Sequence, residues 1–250
     1  MICISVVSHG QVQFAGAFLR SLGRLRSPLV SQVIYTRNIA ETELPEIDLG
    51  SARLSILTNP QPKGFGANHN AAFERCEQPF FCVCNPDILL DTNPFETLLR
   101  PFDDEKLALA APKVRAPDGT LENTARTLYT PWELVSQKIR PANRDTGSDW
   151  LAGMFLLFRS AAFREIGGFD PGYFLYIEDV DICTRLRVAG WRLMQNSGAE
   201  VIHDARKSSH RSLTYTRWHV AGMLRYWSSS GFWRYRRLLS SQGRRQTTVE

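Results

Sequence analysis

The stretch that most constrains this chain is Phe80–Leu90, FFCVCNPDILL. Five apolar, β-forming residues run into Asn85-Pro86-Asp87. A short apolar run bounded by turn residues predicts a buried strand. Pro86 has no N–H to give to a ladder, so the strand ends there. Asp87 is then expected at the carboxyl end of a central strand, where open α/β sheets place their ligands. A carboxylate in that position suits a divalent cation carrying a diphosphate, because hard cations take oxygen ligands. Asn-Pro-Asp is also an ordinary turn, and only the rest of the chain separates the two readings.

The residues around this stretch alternate between strand and helix patterns. Strands are predicted at Ile2–Val7, Gln32–Tyr35 and Arg53–Leu57, with helices at Gln11–Leu25 and Gly66–Glu77. In the first helix Phe14, Phe18, Leu22 and Leu25 recur at three- to four-residue spacing. Such alternation predicts an α/β sheet with parallel pairs. Further on, a helix is expected at Pro94–Phe102, a strand at Leu107–Ala111 and a hairpin turn at 115–120. Residues 127–148 read as an irregular loop over a site. Trp150–Arg159 reads as one strongly apolar strand, followed by a short helix that Ser160 is expected to cap. A helix at Glu178–Ala189 and short strands at Trp191–Gln195 and Glu200–Ile202 complete the body, the last delivering His203.

Composition removes several classes of protein. No apolar run reaches the ~20 residues a membrane-crossing helix needs, and the N-terminus lacks the basic region of a signal peptide. Five cysteines without framework spacing read as free thiols in a reducing compartment. The charge of +5 is uneven: residues 206–250 hold ten Lys or Arg against one acid, so they carry +9 and residues 1–205 carry −4. A net acidic body without a binding motif argues against nucleic acid as a partner.

Three segments carry the chemistry. Asp87 closes one strand. Glu178, Asp179 and Asp181 open a helix, where the helix dipole favours acids whatever their function. His203 ends a late strand, and a histidine there has many ordinary roles.

Read together, these segments resemble glycosyltransferase family 2, and within it the bacterial rhamnosyltransferase-like branch. The matching text is ISVVSHG at 4–10, KGFGANHN at 63–70, Asn85-Pro86-Asp87, the apolar block 150–159, GGFD at 167–170, FLYIEDVDICTRLRVAG at 174–190 and AEVIH at 199–203. The resemblance spans residues 2–205 and implies an α/β fold of the GT-A type. That is a Rossmann-like mixed sheet flanked by helices, here followed by a C-terminal helical, basic and aromatic appendage at 206–250.

The roles that follow are those the resemblance implies. Asp87 and His203 would hold Mg²⁺ or Mn²⁺, and Asp179 would be the catalytic base with Glu178 beside it. Ser8, Gly64, Gly66, Asn70, Asn85 and Asp87 would contact a nucleotide-diphosphate sugar, dTDP- or UDP-linked. Trp150 and Gly153 would lie on the acceptor side. The implied reaction is an inverting, metal-dependent transfer of rhamnose or another deoxyhexose to a lipid-linked or growing cell-surface saccharide.

Two departures from the family pattern stand out. Tyr35-Thr36-Arg37-Asn38 lacks the acid that usually ends the second strand and contacts the nucleoside. Asn85 is neutral where an acid is common, so a catalytically weak scaffold subunit of a glycan assembly complex is the alternative reading. A nucleotidyltransferase would need a basic, Gly-rich loop after the first strand, and Ser8-His9-Gly10-Gln11 does not provide it.

In residues 206–250 Trp218, Trp227 and Trp233 interleave with arginine. Such a mixture favours the membrane–water interface and anionic headgroups. It implies a cytoplasmic protein held peripherally on the inner membrane face, whose body folds without residues 212–250. The plain alternative is a pair of helices packed on the body or on a second subunit of a homodimer.

Overall fold

The structure, a computed structural model, describes residues 1–128, 148–204 and 213–246. Most of the loop expected at 127–148 therefore lies outside the described residues.

A nine-stranded mixed sheet forms the centre. Its strands are β1 (Ile2–Ser8), β2 (Val30–Arg37), β3 (Arg53–Thr58), β4 (Phe80–Cys84), β5 (Ile88–Leu89), β6 (Leu107–Arg115), β7 (Leu121–Glu122), β10 (Phe155–Arg159) and β11 (Arg192–His203). The order is β3-β2-β1-β4-β10-β6-β11-β5, with β7 paired to β6. The β3-β2-β1-β4 half is parallel, and β10 runs antiparallel to both of its neighbours, β4 and β6. A separate two-stranded ladder joins β8 (Ala125–Arg126) to β9 (Trp150–Leu151).

Strand β1 is fully flanked, by β2 on one side and β4 on the other. The chain runs from β1 outward to β2 and β3 and then crosses back to β4 on the other side of β1, which opens a crevice at the carboxyl ends of β1 and β4. The central strand β4, FFCVC, is apolar along its whole length, as burial on both faces demands. Helix α1 (Val12–Leu25) covers one face through Ala15, Phe18, Leu19 and Leu22. Helices α2 (Phe65–Phe73), α4 (Ser160–Glu165) and α5 (Glu178–Val188) cover the other. Between them, α3 (Phe95–Leu99) runs into a 3₁₀ turn at Arg100–Asp103.

Three local expectations are corrected. The apolar block 150–159 is two strands, because the chain turns at 152–154 to meet other segments. There Ala152 N–H donates to Thr124 O (2.8 Å), and Met154 O accepts from Asn85 N–H (2.9 Å). The two late strands are one, β11, whose register against β6 shifts between Asn196 and Glu200. Ser160 does not cap α4: the cap position is Arg159, and the Ser160 hydroxyl donates to Gln78 O (2.7 Å).

The C-terminal helices α6 (Leu213–Ser228) and α7 (Ser230–Gln246) pack on the body. Tyr226 and Phe232 form a buried cluster with Tyr173 and Val180. Tyr226 Oη shares a 2.6 Å hydrogen bond with Thr184, Tyr235 Oη donates to Asp149 (2.6 Å), and Arg225 forks onto Asp170. Deletion of residues 212–250, expected to spare the body, would uncover Tyr173 and Val180. Phe232→Ala is expected to cost about 3–5 kcal/mol, the usual range for a buried Phe. Urea denaturation checks it, and a midpoint unchanged from the parent would refute the docking role.

Candidate active site

Asp87 follows β4 after the Asn85-Pro86 stop, and β11 brings His203 alongside it through β5. His203 Nε2 lies 3.4 Å from Asp87 Oδ1, and both side chains are buried. That separation is a charge contact rather than a strong hydrogen bond. Asp87 Oδ1 has no hydrogen-bond partner among the described residues. An orphaned, buried carboxylate oxygen is costly unless something charged completes it.

On the other side of the ring, His203 Nδ1 lies 3.1 and 3.4 Å from the two Glu122 oxygens. Glu122 reaches this point on the β6–β7 hairpin, in register with Val114. Burial opposes the charged imidazole, but Asp87 and Glu122 outweigh it and raise the His203 pKa above its usual value. A carboxylate on the far ring nitrogen fixes which nitrogen faces Asp87, an arrangement found behind metal-ligating histidines. Nothing in the local sequence marks Glu122. Only the hairpin register reveals it.

These residues fit a hard divalent cation. One carboxylate and one imidazole provide oxygen and nitrogen donors, and Asp87 Oδ1 is free to accept a cation. Among the described residues no third His, Cys, Asp or Glu completes a closed cage. Mg²⁺-type sites often have few protein ligands and take the remainder from substrate phosphates.

Glu178 and Asp179 open α5. The two residues before them, Tyr176 and Ile177, both have φ of +71°. Left-handed backbone is strained for a β-branched residue such as Ile177, and such strain concentrates at functional sites. Asp179 Oδ2 accepts from Gly153 N–H (3.0 Å), and Oδ1 accepts from Val180 N–H (2.8 Å). Burial raises the Asp179 pKa, and these two N–H groups partly offset the rise.

Glu178 is 5% exposed, and its Oε2 has no hydrogen-bond partner among the described residues. Burial, then the Asp179 charge, pushes its pKa up to about 8. At neutral pH Glu178 is mostly protonated, whereas the Asp179 carboxyl is held by two N–H donors, so the two acids sit in different environments. The unfolded chain ionises Glu178 near its ordinary pKa, so stability from this group falls as pH rises from about 4.5 to about 8. Glu178→Gln is expected to raise Tm at pH 8 by several degrees, with the gain shrinking toward pH 5. A thermal-melt series over pH checks it, and a gain that does not vary with pH would contradict this origin.

The turn 152–154 links the two acidic centres. Gly153 donates to Asp179, and the next residue, Met154, accepts from Asn85, two residues before Asp87. Asp87, His203 and Asp179 therefore share the carboxyl edge of the sheet. Trp150 opens the strand leading into this turn.

The Gly-rich entry to α2 seats the acidic loop. A Cβ on Gly64 would lie 2.7 Å from Phe174 O, and one on Gly66 would lie 2.5 Å from Phe169 Cβ. Phe65 N–H donates to Phe174 O (2.8 Å), fastening this entry to the segment before α5. The Asn70 amide is committed to the Phe169 backbone at both ends, 2.8 and 2.9 Å. Its side chain thus holds the Gly167-Gly168 turn.

At the first crevice, Ser8 Oγ donates to Glu41 (2.6 Å) and accepts from Gln11 N–H (2.9 Å). Tyr35 Oη donates to the second Glu41 oxygen (2.5 Å). An acid therefore does stand at the ends of β1 and β2, contributed by the following loop and not by residues 35–38. Asn38 ties this edge to the Gly-rich entry, donating to Lys63 O and accepting from Lys63 N–H, both at 2.8 Å.

Residues 32–221, three quarters of the chain, match the family model described as "Glycosyltransferase like family 2", and the chain belongs to that family. Rhamnosyltransferase WbbL of Escherichia coli K12 is 26% identical over 246 residues, covering 90% of this chain and 92% of the relative. The N-acetylglucosaminyl-diphospho-decaprenol L-rhamnosyltransferase of Mycobacterium tuberculosis H37Rv is 34% identical over 149 residues, covering 52% and 48%. The protein is a glycosyltransferase of the rhamnosyltransferase-like branch.

Solved structures share the GT-A fold. GalNAc-T7 with UDP, GalNAc and Mn²⁺ superposes with a TM-score of 0.62 at 16% identity, over 82% of this chain and 43% of that one. Staphylococcus aureus TarS 1–349 with UDP-GlcNAc gives 0.60 at 12% identity, over 92% and 67%. The chain thus spans less than half of GalNAc-T7.

Proposed function

We propose that the protein is an inverting, metal-dependent glycosyltransferase that moves a sugar from a nucleoside-diphosphate donor to a lipid-linked or growing saccharide. The observation that carries this reading is the turn 152–154, which joins the Asp179 carboxylate to the strand end that bears Asp87. Rhamnose or another deoxyhexose is favoured as the donor sugar by the names of the relatives.

The nucleoside end lies toward Ser8 and Glu41, and the diphosphate lies toward Asp87 and His203. Asp87 and His203 would hold Mg²⁺ or Mn²⁺, which would supply charge neutralisation for the departing diphosphate. Glu122 keeps Nε2 of His203 turned to Asp87. Asp179 accepts the proton from the acceptor hydroxyl as it attacks the anomeric carbon. Its Oδ2 is held by Gly153 N–H, which fixes the carboxylate without neutralising it. Glu178 is mostly protonated, and the N–H donors that favour an ionised carboxyl are directed at Asp179. No covalent enzyme intermediate is required, so one displacement inverts the anomeric configuration.

The exposed side of α6 and α7 displays Leu224, Trp233 and Leu238 among Arg217, Arg234 and Arg237. No described helix is long and apolar enough to cross a membrane. This surface suits peripheral contact with anionic lipid, from which a lipid-linked acceptor is reached. The test is product analysis. Candidate nucleotide sugars with Mn²⁺ should release nucleoside diphosphate and give a product of inverted anomeric configuration by NMR. A retained configuration would overturn the single-displacement mechanism.

A further inference from the structure

Arg126 is built into the acceptor side of the site, although neither composition nor motif singles it out. It is paired directly across the β8–β9 ladder with Trp150. Its guanidinium lies over the Trp150 ring, 5.3 Å from the centroid. Nε donates to Asn123 O (2.7 Å), and the Trp150 ring is itself fixed by its Nε1–H donating to Thr127 O (3.2 Å). The two terminal nitrogens of Arg126 meet no carboxylate among the described residues, and the side chain is exposed. Three residues beyond Trp150, Gly153 holds the Asp179 carboxylate. Arg126 is near enough for its charge to pull the Asp179 pKa down.

A planar guanidinium with one edge tied, one face stacked and its outer N–H fork open is prepared to take phosphate oxygens in two parallel hydrogen bonds. Most of the entropy cost of ordering the side chain has been met before any ligand arrives. Two diphosphates are relevant to the proposed reaction. The donor's belongs with Asp87 and His203. Arg126 instead stands beside Asp179, where the acceptor hydroxyl must lie.

We propose that Arg126, stacked on Trp150, binds the phosphate of a diphosphate-linked acceptor and so selects acceptors that carry one. The assignment of Arg126 to the acceptor rests on the reading of Asp179 as the base. It predicts that a neutral glycoside of the same sugar is a poor acceptor and that the difference disappears when Arg126 is removed.

Isothermal titration of the full chain with geranyl diphosphate, with geraniol as the uncharged control, tests this without requiring turnover. The parent protein should bind the diphosphate and not geraniol. Arg126→Ala should weaken that binding at least ~10-fold, the scale of a lost charge-assisted pair, while leaving affinity for UDP with Mn²⁺ unchanged. Arg126→Lys, which keeps the charge and loses the fork, should fall between the two. If Arg126→Ala weakens UDP–Mn²⁺ instead, the residue serves the donor and the proposal is overturned. Equal binding by parent and variant, or no binding by the parent, overturns it as well. Asp179→Asn assayed in parallel keeps the two questions apart: turnover surviving in that variant removes the base and leaves the phosphate measurement standing.

Discussion

Asp179→Asn is expected to keep donor affinity and lose ~10²–10⁴-fold in kcat, the range a positioned general base contributes. The amide retains the size of the carboxylate and its one oxygen can accept from Gly153 N–H, at the loss of the Val180 N–H bond. What it lacks is the capacity to take a proton. A change confined to kcat identifies an interaction used only in the transition state. In the parent protein kcat should fall as pH drops through the Asp179 titration, which burial places above the ordinary aspartate value. That pH limb should be missing in Asp179→Asn. Steady-state kinetics over pH, with the donor Kd measured separately, checks both statements. Undiminished turnover in the variant would refute the assignment.

Asp87→Ala is expected to have an effect of similar size by a different route. It removes one of the two groups placed to hold a cation against the diphosphate. Lewis-acid stabilisation of a leaving group is worth several kcal/mol, and each ~1.4 kcal/mol is a decade in rate. The loss should therefore reach about 10³-fold in kcat/KM, with donor affinity falling too because the nucleotide and cation bind together. Without metal or nucleotide the variant should melt within a few degrees of the parent. It loses a buried oxygen with no hydrogen bond, and His203 retains its contact with Glu122. Thermal shift with UDP and Mn²⁺ separates the two parts: the parent gains stability from the pair and the variant does not. A variant that still responds to Mn²⁺ and nucleotide together would place the metal elsewhere.

The parts of the site that were legible in the sequence are those fixed by strand ends. Pro86 terminates β4, so Asp87 could be placed from the text alone, and His203 could be placed at the end of a late strand. The acids at 178 and 179 were legible as a helix start. What the text could not show was the connection between them. WLAGMFLLFR reads as one buried strand because Gly153 is equally at home in an apolar run and in a turn. Only the hydrogen bonds to Asp179, Asn85 and Thr124 show that the chain bends there.

Glu122 and Glu41 were missed for a related reason. Glu122 lies in a hairpin arm and Glu41 in the long β2–β3 loop, both among residues that look like solvated surface, and each meets a strand residue distant in sequence, His203 and Ser8. The tail is ambiguous in the text because tyrosine and tryptophan suit an interface and a packed cluster equally well. Tyr226 and Tyr235 turn out to be buried, and Trp233 on the same pair of helices is exposed. Sequence composition could not divide them.

The central claim is that Asp87 and His203 hold a cation and a nucleotide diphosphate on the same edge of the sheet as the Asp179 carboxylate. Anomalous diffraction from crystals grown with Mn²⁺ and a nucleoside diphosphate tests it most directly. The expected result is one manganese peak at Asp87 and His203 beside the diphosphate, with open space toward Asp179 for a sugar ring. A peak away from these two residues, or a nucleotide bound outside the crevice at the ends of β1 and β4, would contradict the account.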